Sequence, residues 1–534
     1  SLDMLFMNTT DSGEAAVSGI SAIAGRLLRS FVLLVAVVGS LQKHAASQEV
    51  GIIDLDDRRE LFVDDFLTAE LRNVTLQVHQ PTREEIAVDC DQPWEGNGCG
   101  YFTVLHDRRE SVYRMYYHAW QIPTGIEPGG PLTIACFESK DGIQWTRPDF
   151  GLCEFQGSKH NNIVLDKMAD GGACHDFSPF IDENPDAKPE ARYKASGAGF
   201  DVGKGIWVYQ SPDGIHWTPM APAPVFDKGA FDSQNISFWS PTEKQYVLYY
   251  RIFSDGGFRG TRLINRAVSP DYIHWKDEGT IRFPEGEGPE PQAQFYVNQI
   301  RHYERAPQIY IGFPARYVDR GLTASTSLLP EWPLREKRIS VTPRYGTAVT
   351  DSVYITSRDG QSFRQSNDVF LRPGLRTRHN WSYGDNYIAW HVVETDSTRD
   401  DAPRELSLYA TESYFTGRQS RLRRYSLRID GFASIHAGSR GGSFTTKPLR
   451  FRGEELSLNA ATSAAGYLQV EICKADGTAI PRFTAEDCDI IYGDSIDRRV
   501  SWKGNQSVNA LSGQTVVLRF LMKEADVYSL AFVR

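Results

Sequence analysis

A chain of 534 residues is too long for one hydrophobic core unless its architecture repeats. With 41% hydrophobic and 24% charged residues its composition is that of a globular protein, and the 12% aromatic share suits strands and stacking on sugar faces alike. A net charge of −10, a pI near 5.7 and the lack of a basic stripe exclude nucleic acid as an expected partner. They also argue against a strongly polyanionic substrate, although a local arginine cluster can still hold a sulfate or a carboxylate.

The first elements in chain order are an address. Arg26-Leu27-Leu28-Arg29 is a basic lead, residues 31–38 (FVLLVAVV) are apolar but too short to span a bilayer, and Ala45-Ala46-Ser47 offers small residues for cleavage. Residues 1–47 are therefore expected to be a leader and signal peptide, and the mature protein to be secreted or periplasmic. Export permits disulfides among Cys90, Cys99, Cys136, Cys153, Cys174, Cys473 and Cys488. The near neighbours 90/99, 136/153 and 473/488 are the pairs to consider, with connectivity left open. No C-x-x-C occurs, so a zinc site of that spacing is absent.

After residue 50 helical periodicity is scarce. Short runs rich in Tyr, Val, Ile, Phe and Trp dominate, for example 113–120 (YRMYYHAW), 245–253 (QYVLYYRIF) and 308–313 (QIYIGF). Gly, Pro, Asn and Asp break them, which reads as an all-β chain. The motif S-x-D-G-I-x-W stands at 139–145 and 211–217, recurs with Tyr for Gly at 269–275, and persists in degenerate form at 357–363. Chemically it is a hairpin corner: Ser and Asp bond nearby backbone N–H groups, and Gly takes the φ > 0 position. The order of strands between copies repeats too, four to a unit, as in a propeller blade. The units are placed at 100–165, 174–225, 231–283, 292–371 and 381–424, with the strand around Leu61-Phe62-Val63 closing the ring. Alternating runs after residue 426 read as a β-sandwich. The predicted organisation is a five-bladed β-propeller over 48–425 followed by a C-terminal β-sandwich over 426–534.

A propeller gathers the starts of its first strands at one mouth, so acidic residues there converge in space. The candidates are Asp91 and Glu95 before blade one, Asp176 in blade two, Asp232 in blade three, Glu290 before blade four and Asp385 in blade five. A lone Asp beside Gly or Ser is usually a turn residue. Matching positions in matching repeats set Asp176 and Asp232 apart, whereas the Asp of each corner motif is structural. His175 is placed to orient a hydroxyl or tune Asp176. Trp239, Trp381, Tyr383 and His391 are candidates for stacking on a pyranose, against the plainer reading of core packing. Arg251 and Arg316 are candidates for an acidic or sulfated sugar, against a buried ion pair.

The strand-start carboxylates, the corners and the junction 422–432 (LRRYSLRIDGF) together resemble the five-bladed propeller glycosidases, the invertase/levanase-like and arabinanase/xylosidase-like families 32 and 43. The resemblance implies three carboxylates: a nucleophile or base at Asp91 or Glu95, a stabiliser at Asp176 and a general acid at Asp232, with Glu290 the nearest Glu at a blade start. Two carboxyl groups flanking a glycosidic bond suffice for hydrolysis, and a third charge nearby holds the acid protonated. The chain departs from the invertase-like signatures: Trp94-Glu95-Gly96-Asn97-Gly98 only echoes one, and His175-Asp176-Phe177 replaces another. No organic cofactor or catalytic metal is implied, though some arabinanase-like relatives hold calcium at the channel centre. The expected function is a glycoside hydrolase acting on a poly- or oligosaccharide. The competing readings are a carbohydrate-binding propeller without catalysis and a polysaccharide lyase or sugar transferase.

Overall fold

The structure is a computed structural model and describes residues 51–534 apart from 124–126, 173, 199–204, 285, 287, 290–292 and 415–419. The signal-peptide region and Glu290 lie outside the described residues. Residues 53–534 form one compact unit.

Five of the six sheets are blades. Blade one runs Gly100–Asp107, Val112–Trp120, Leu132–Ser139 and the short outer strands Trp145–Thr146 and Ile163–Leu165. Blade two pairs Ser178–Ile181, Tyr193–Gly197, Trp207–Ser211 and Thr218–Pro219 in order, and blade three pairs Ile236–Ser240, Gln245–Phe253, Arg262–Ser269 and Lys276–Thr280. In blade four the first strand is split into Gln294–Phe295 and Arg301–Tyr303, and the second into Ala306–Gly312 and Ala315–Asp319. Ala348–Ser357 and Phe363–Leu371 complete it. Blade five holds Val393–Thr395, Glu405–Glu412 and Arg421–Arg428, and takes its outermost strand, Thr82–Asp89, from the other end of the chain.

That last strand corrects the sequence reading. Leu61-Phe62-Val63 does not close the ring, because Glu60–Leu61 pairs with Leu530 and Ser529 in the C-terminal sheet. Thr82–Asp89 closes it, through an antiparallel ladder with Arg421–Arg428 that ion pairs reinforce. Arg83 reaches Glu412 at 2.8 Å, Arg424 Nε reaches Glu85 at 2.5 Å, and Arg421 Nε reaches Asp89 at 3.1 Å. A strand of sequence TREEIAVD buries little apolar surface besides Val88, and the arginines of Arg421–Arg428 add ion pairs to its ladder.

The corners behave as their chemistry requires. Asp213 Oδ1 accepts the N–H groups of Ile215 and His216, each at 2.9 Å, while Ser211 Oγ accepts that of Gly214 at 2.8 Å. Gly214 has φ +77°, and Tyr272 holds φ +70° at the equivalent position in spite of its Cβ. The same pattern holds at Asp141, Asp271 and Asp359. Corners also link blades: Tyr116 of blade one donates to Gly214 O at 2.9 Å, and Tyr249 of blade three to Gly360 O at 2.6 Å.

The remaining sheet has ten strands, and four of them come from residues 53–78. Its long strands, Glu455–Lys474 and Thr515–Val533, pair along their length with bulges at Asn459/Ala460 and Thr462/Tyr467. Phe62, Phe444, Leu468, Val470, Phe520 and Phe532 share one buried core inside it. The segment 53–78 thus adds to the sandwich read at 426–534. At the junction, fully buried Asp430 accepts hydrogen bonds from Tyr303, Arg305 Nε and Ser529, each at 2.8 Å, and faces Arg59 at 3.3 Å. All seven cysteines are thiols, so none of the three pairs considered is bonded. Among the described residues no helix is long and apolar enough to cross a membrane.

Candidate functional site

The first strands of blades one and two, two and three, and one and five contact one another around the axis. Midway along them the channel is filled by amides. Gln234 Nε2 donates to Thr103 Oγ1 at 3.0 Å, and Gln299 Nε2 donates to Gln234 Oε1 at 2.9 Å and to Ile388 O at 2.8 Å. This relay joins blades one, three, four and five and separates two mouths. The calcium that some arabinanase-like relatives hold at the centre does not fit this donor set, which has no carboxylate. Among the described residues no three His, Cys, Asp or Glu side chains are grouped to hold a metal ion.

At the strand-start mouth stand Tyr101 of blade one, His175 and Asp176 of blade two, Asp232 before blade three, Tyr296 of blade four and Tyr383 and Tyr387 before blade five. Asp232 keeps 33% of its side chain exposed, with His175 Nε2 and Arg251 Nη2 each 3.6 Å from its oxygens. Burial raises its carboxyl above the ordinary range, and Arg251, Arg344 and Arg262 only partly offset this. Asp176 is buried and accepts the Asn235 N–H at 2.8 Å and its side-chain amide. Burial pushes it well up, with the neighbouring Asp232 charge adding to the effect. His175 is pushed well down by burial, then by His118 and Arg251, and is neutral. Its ring lies 5.2 Å from that of Tyr101 and 5.6 Å from that of His118, which burial lowers to about 4.

Tyr296 carries the opposite perturbation. Burial and Asp232 favour its neutral form, yet Arg344, Arg251 and Arg262 together outweigh them and bring the phenol below its usual value. Tyr383 donates to its oxygen at 2.6 Å and receives Arg344 Nη1 at 3.2 Å. Arg262 and Arg251 lie 4.8 and 5.5 Å from its ring centre. Sequence reasoning missed Tyr296, Arg262 and Arg344. The signal for Tyr296 was available, since it lies shortly before the inner strand Arg301–Tyr303 of blade four as Asp232 lies shortly before Ile236–Ser240 of blade three.

The other expected site residues lie elsewhere. Glu95 is fully buried and saturated: it accepts from Gln92 N at 2.8 Å, Tyr117 OH at 2.5 Å and Arg147 Nη2 at 3.0 Å. Asp91 is an exposed partner of the same Arg147. Asp385 is a buried turn residue that accepts the N–H groups of Ser382 and Tyr414. Trp239 packs edge-on to Tyr246 in the blade-three core, and the Trp381 indole donates to Gly374 O at 2.9 Å. Arg316 is paired with Asp351 at 2.6 Å. His391 is past the amide plug, at the opposite mouth, beside Arg301.

That opposite mouth holds the larger cavity, about 420 Å³, against about 20 Å³ among Tyr101, His118, Tyr296 and Tyr383. Its charges neutralise one another, however. Arg301 meets Glu183 at 2.7 Å, His302 meets Glu183 at 3.0 Å, and Arg192 meets Asp107. At the strand-start mouth an accessible carboxyl is raised and a phenol lowered, shifts toward proton exchange, whereas the displaced carboxyl of the opposite mouth, Glu183, is, despite its burial, lowered by Arg301 and His302 into a fixed ion pair.

No protein-family model matches the chain, and no curated protein matches it. Among solved structures, a complex of BT0996 with RGII is 14% identical with a TM-score of 0.41, covering 66% of this chain and 93% of its own. A fructofuranosidase from Schwanniomyces occidentalis complexed with fructosylnystose is 10% identical (TM-score 0.39), with 86% and 98% covered. An exo-inulinase from Aspergillus awamori is 13% identical (TM-score 0.36), with 86% and 99% covered. The five-bladed architecture is read from this chain's own strand pairing, and these likenesses carry no chemistry over to it.

Proposed function

We propose that this chain is an exported glycoside hydrolase that works at the strand-start mouth, with Asp232 as general acid. The observation that carries the reading is that Asp232 and Tyr296, which face the same three arginines, are displaced in opposite senses. Raising a carboxyl and lowering a phenol bring the two acidities toward each other, into the range where one group can give a proton and the other take one. Asp232 gives its proton to the leaving oxygen as the glycosidic C–O bond breaks. The Tyr296 phenolate, or a water whose proton it takes, supplies the electron pair to the anomeric carbon. In the first case water later cleaves the aryl glycoside, giving Asp232 back its proton. Asp176, buried and neutral, holds the blade-three strand start through Asn235, and neutral His175 faces Asp232. Glu95, already saturated by its neighbours, is given no part.

The test is reducing-sugar release from a panel of plant and algal polysaccharides by wild type, Asp232→Asn and Tyr296→Phe, each variant shown to fold. Release by wild type, reduced about 10²-fold or more in both variants, is the expected result. Release that survives both substitutions overturns the assignment. The same phenol among arginines also suits a second reading, β-elimination at a uronate. There the phenolate removes the C5 proton, the C4–O bond breaks to leave a C4=C5 double bond, and Asp232 protonates the leaving oxygen. An ultraviolet-absorbing unsaturated product separates the two.

A further inference from the structure

Three guanidinium groups surround Tyr296 and Asp232, and their faces are already occupied. Arg262 lies 5.2 Å from the ring centre of Phe253 and 4.8 Å from that of Tyr317, besides its contact with Tyr296. Arg251 lies 5.1 Å from Phe253, and Arg344 lies 4.9 Å from Tyr345 and 5.1 Å from Tyr383. A guanidinium stacked on its faces can offer only its N–H edge, and that edge matches a carboxylate or sulfate two bonds at a time. Two of these edges are incomplete. Arg251 is only 4% exposed, yet its Nη2 has no hydrogen-bond partner and meets only the Asp232 carboxyl, at 3.6 Å, and the buried Nε of Arg262 has no hydrogen-bond partner either. Other arginines nearby are provided for: Arg335 bonds the Trp381 carbonyl at 2.6 Å and Ser382 Oγ at 3.0 Å, and Arg316 has Asp351. Facing the three cations are one accessible carboxyl, Asp232, and the Tyr296 phenol, since Asp176 is buried and turned to Asn235, and even with both ionised a positive charge is left over. A neutral sugar would leave this excess positive charge and its buried donors uncompensated.

We propose that the strand-start mouth takes an anionic sugar, whose carboxylate or sulfate group docks on the guanidinium edges of Arg251, Arg262 and Arg344. The proposal names the substrate class of the site described above and rests on the reading that sugars are handled there. Its geometry gives Arg251 a fixed place, because Nε is held by Ala230 O at 3.1 Å and the backbone N by Asn235 Oδ1 at 2.9 Å. Arg262 is held by Gln294 at 2.6 Å. The clamp is therefore preorganised, and little ordering is needed when the anion arrives.

The experiment is calorimetric titration of the whole chain with D-galacturonate, D-glucuronate, galactose 6-sulfate and inorganic sulfate, beside D-galactose and D-glucose. Carboxylate or sulfate should improve affinity about tenfold or more over the neutral parent sugar, and Arg262→Gln and Arg344→Gln should remove that advantage. Preference for the carboxylated over the sulfated sugar, or the reverse, assigns the anion. Inorganic sulfate should compete with the sugar anion in wild type, a result that needs no variant to fold. Equal affinity for charged and neutral partners, or no binding by any of the four anions, overturns the proposal. Asp232→Asn keeps the two readings apart, because it should abolish turnover yet keep or strengthen the anion preference. Anion preference without cleavage of any uronide or sulfated glycan would defeat the hydrolase alone. Cleavage of neutral glycans that is indifferent to Arg262 and Arg344 would defeat the clamp alone.

Discussion

Replacing Asp430 by Asn removes one charge and alters almost no volume. The residue sits at φ +58°, a conformation Asn tolerates well, so the backbone is left unstrained. Its oxygens divide their partners: Oδ1 takes Tyr303 and Arg305, while Oδ2 takes Ser529 and faces Arg59. An amide cannot accept on both sides, so its NH₂ must confront one set of donors. Each charge-assisted hydrogen bond contributes about 1.5–3 kcal/mol, and removing one partner of a buried pair costs about 3–5 kcal/mol. Arg305 is 29% exposed and can be rehydrated, which favours the lower end, so we expect a loss of about 3 kcal/mol. Denaturant unfolding followed by tryptophan fluorescence measures it. Acid supplies the control. Burial alone would raise Asp430, but Arg305 and Arg59 prevail and its folded-state acidity lies below the ordinary value. A lowered carboxyl contributes fully above its unfolded value, roughly 3.9, and loses that contribution as pH falls through its folded value. The gap between wild type and variant should thus be constant near neutrality and close below about pH 4. A loss under about 1 kcal/mol, or a gap that persists in acid, would refute the reasoning.

Three further outcomes are expected. The pH profile of glycan cleavage should be bell-shaped, with one limb set by Asp232, above the ordinary carboxylate range, and the other by Tyr296, below that of a free phenol. Arg344→Gln should move the Tyr296 limb to higher pH, because it removes the strongest of the three cations lowering the phenol. Glu95→Gln should lower stability by about 2 kcal/mol in denaturant unfolding, through its bonds to Tyr117 and Arg147, and leave turnover unchanged. Asp213→Ala should cost about 1 kcal/mol, as the loss of a helix cap does, with no effect on substrate affinity. Burial opposes ionisation of Asp213, but its backbone bonds prevail and lower it to about 2, so this contribution too should fade only in strong acid.

Blade boundaries were legible because the corner motif is local. Ser139, Asp141 and Gly142 specify a turn by bonds within four residues, and no distant partner is needed to recognise them. Ring closure was not legible for the converse reason. Thr82–Asp89 is recognised by a ladder and by charges some 340 residues away, as Glu85 is by Arg424, while Leu61-Phe62-Val63 looked more like a strand and was wanted elsewhere. For the site, position in the repeat identified Asp176 and Asp232. It could not tell that Glu95 would be saturated by Arg147, because a carboxylate's partners depend on packing across blades. Tyr387 and His391 are four residues apart in one segment, yet they open on opposite ends of the channel. Depth along the axis is set by blade tilt and by where the amide plug sits, neither of which a single strand encodes.

The Gln234–Gln299 bridge has a bearing on traffic. With its middle filled by side chains that bond Thr103 and the Ile388 carbonyl, the ring is a cup and not a tunnel. A polymer, were one the substrate, could not be drawn through it. It would have to lie across the rim or dip into the cup, and its products would leave by the side from which it came.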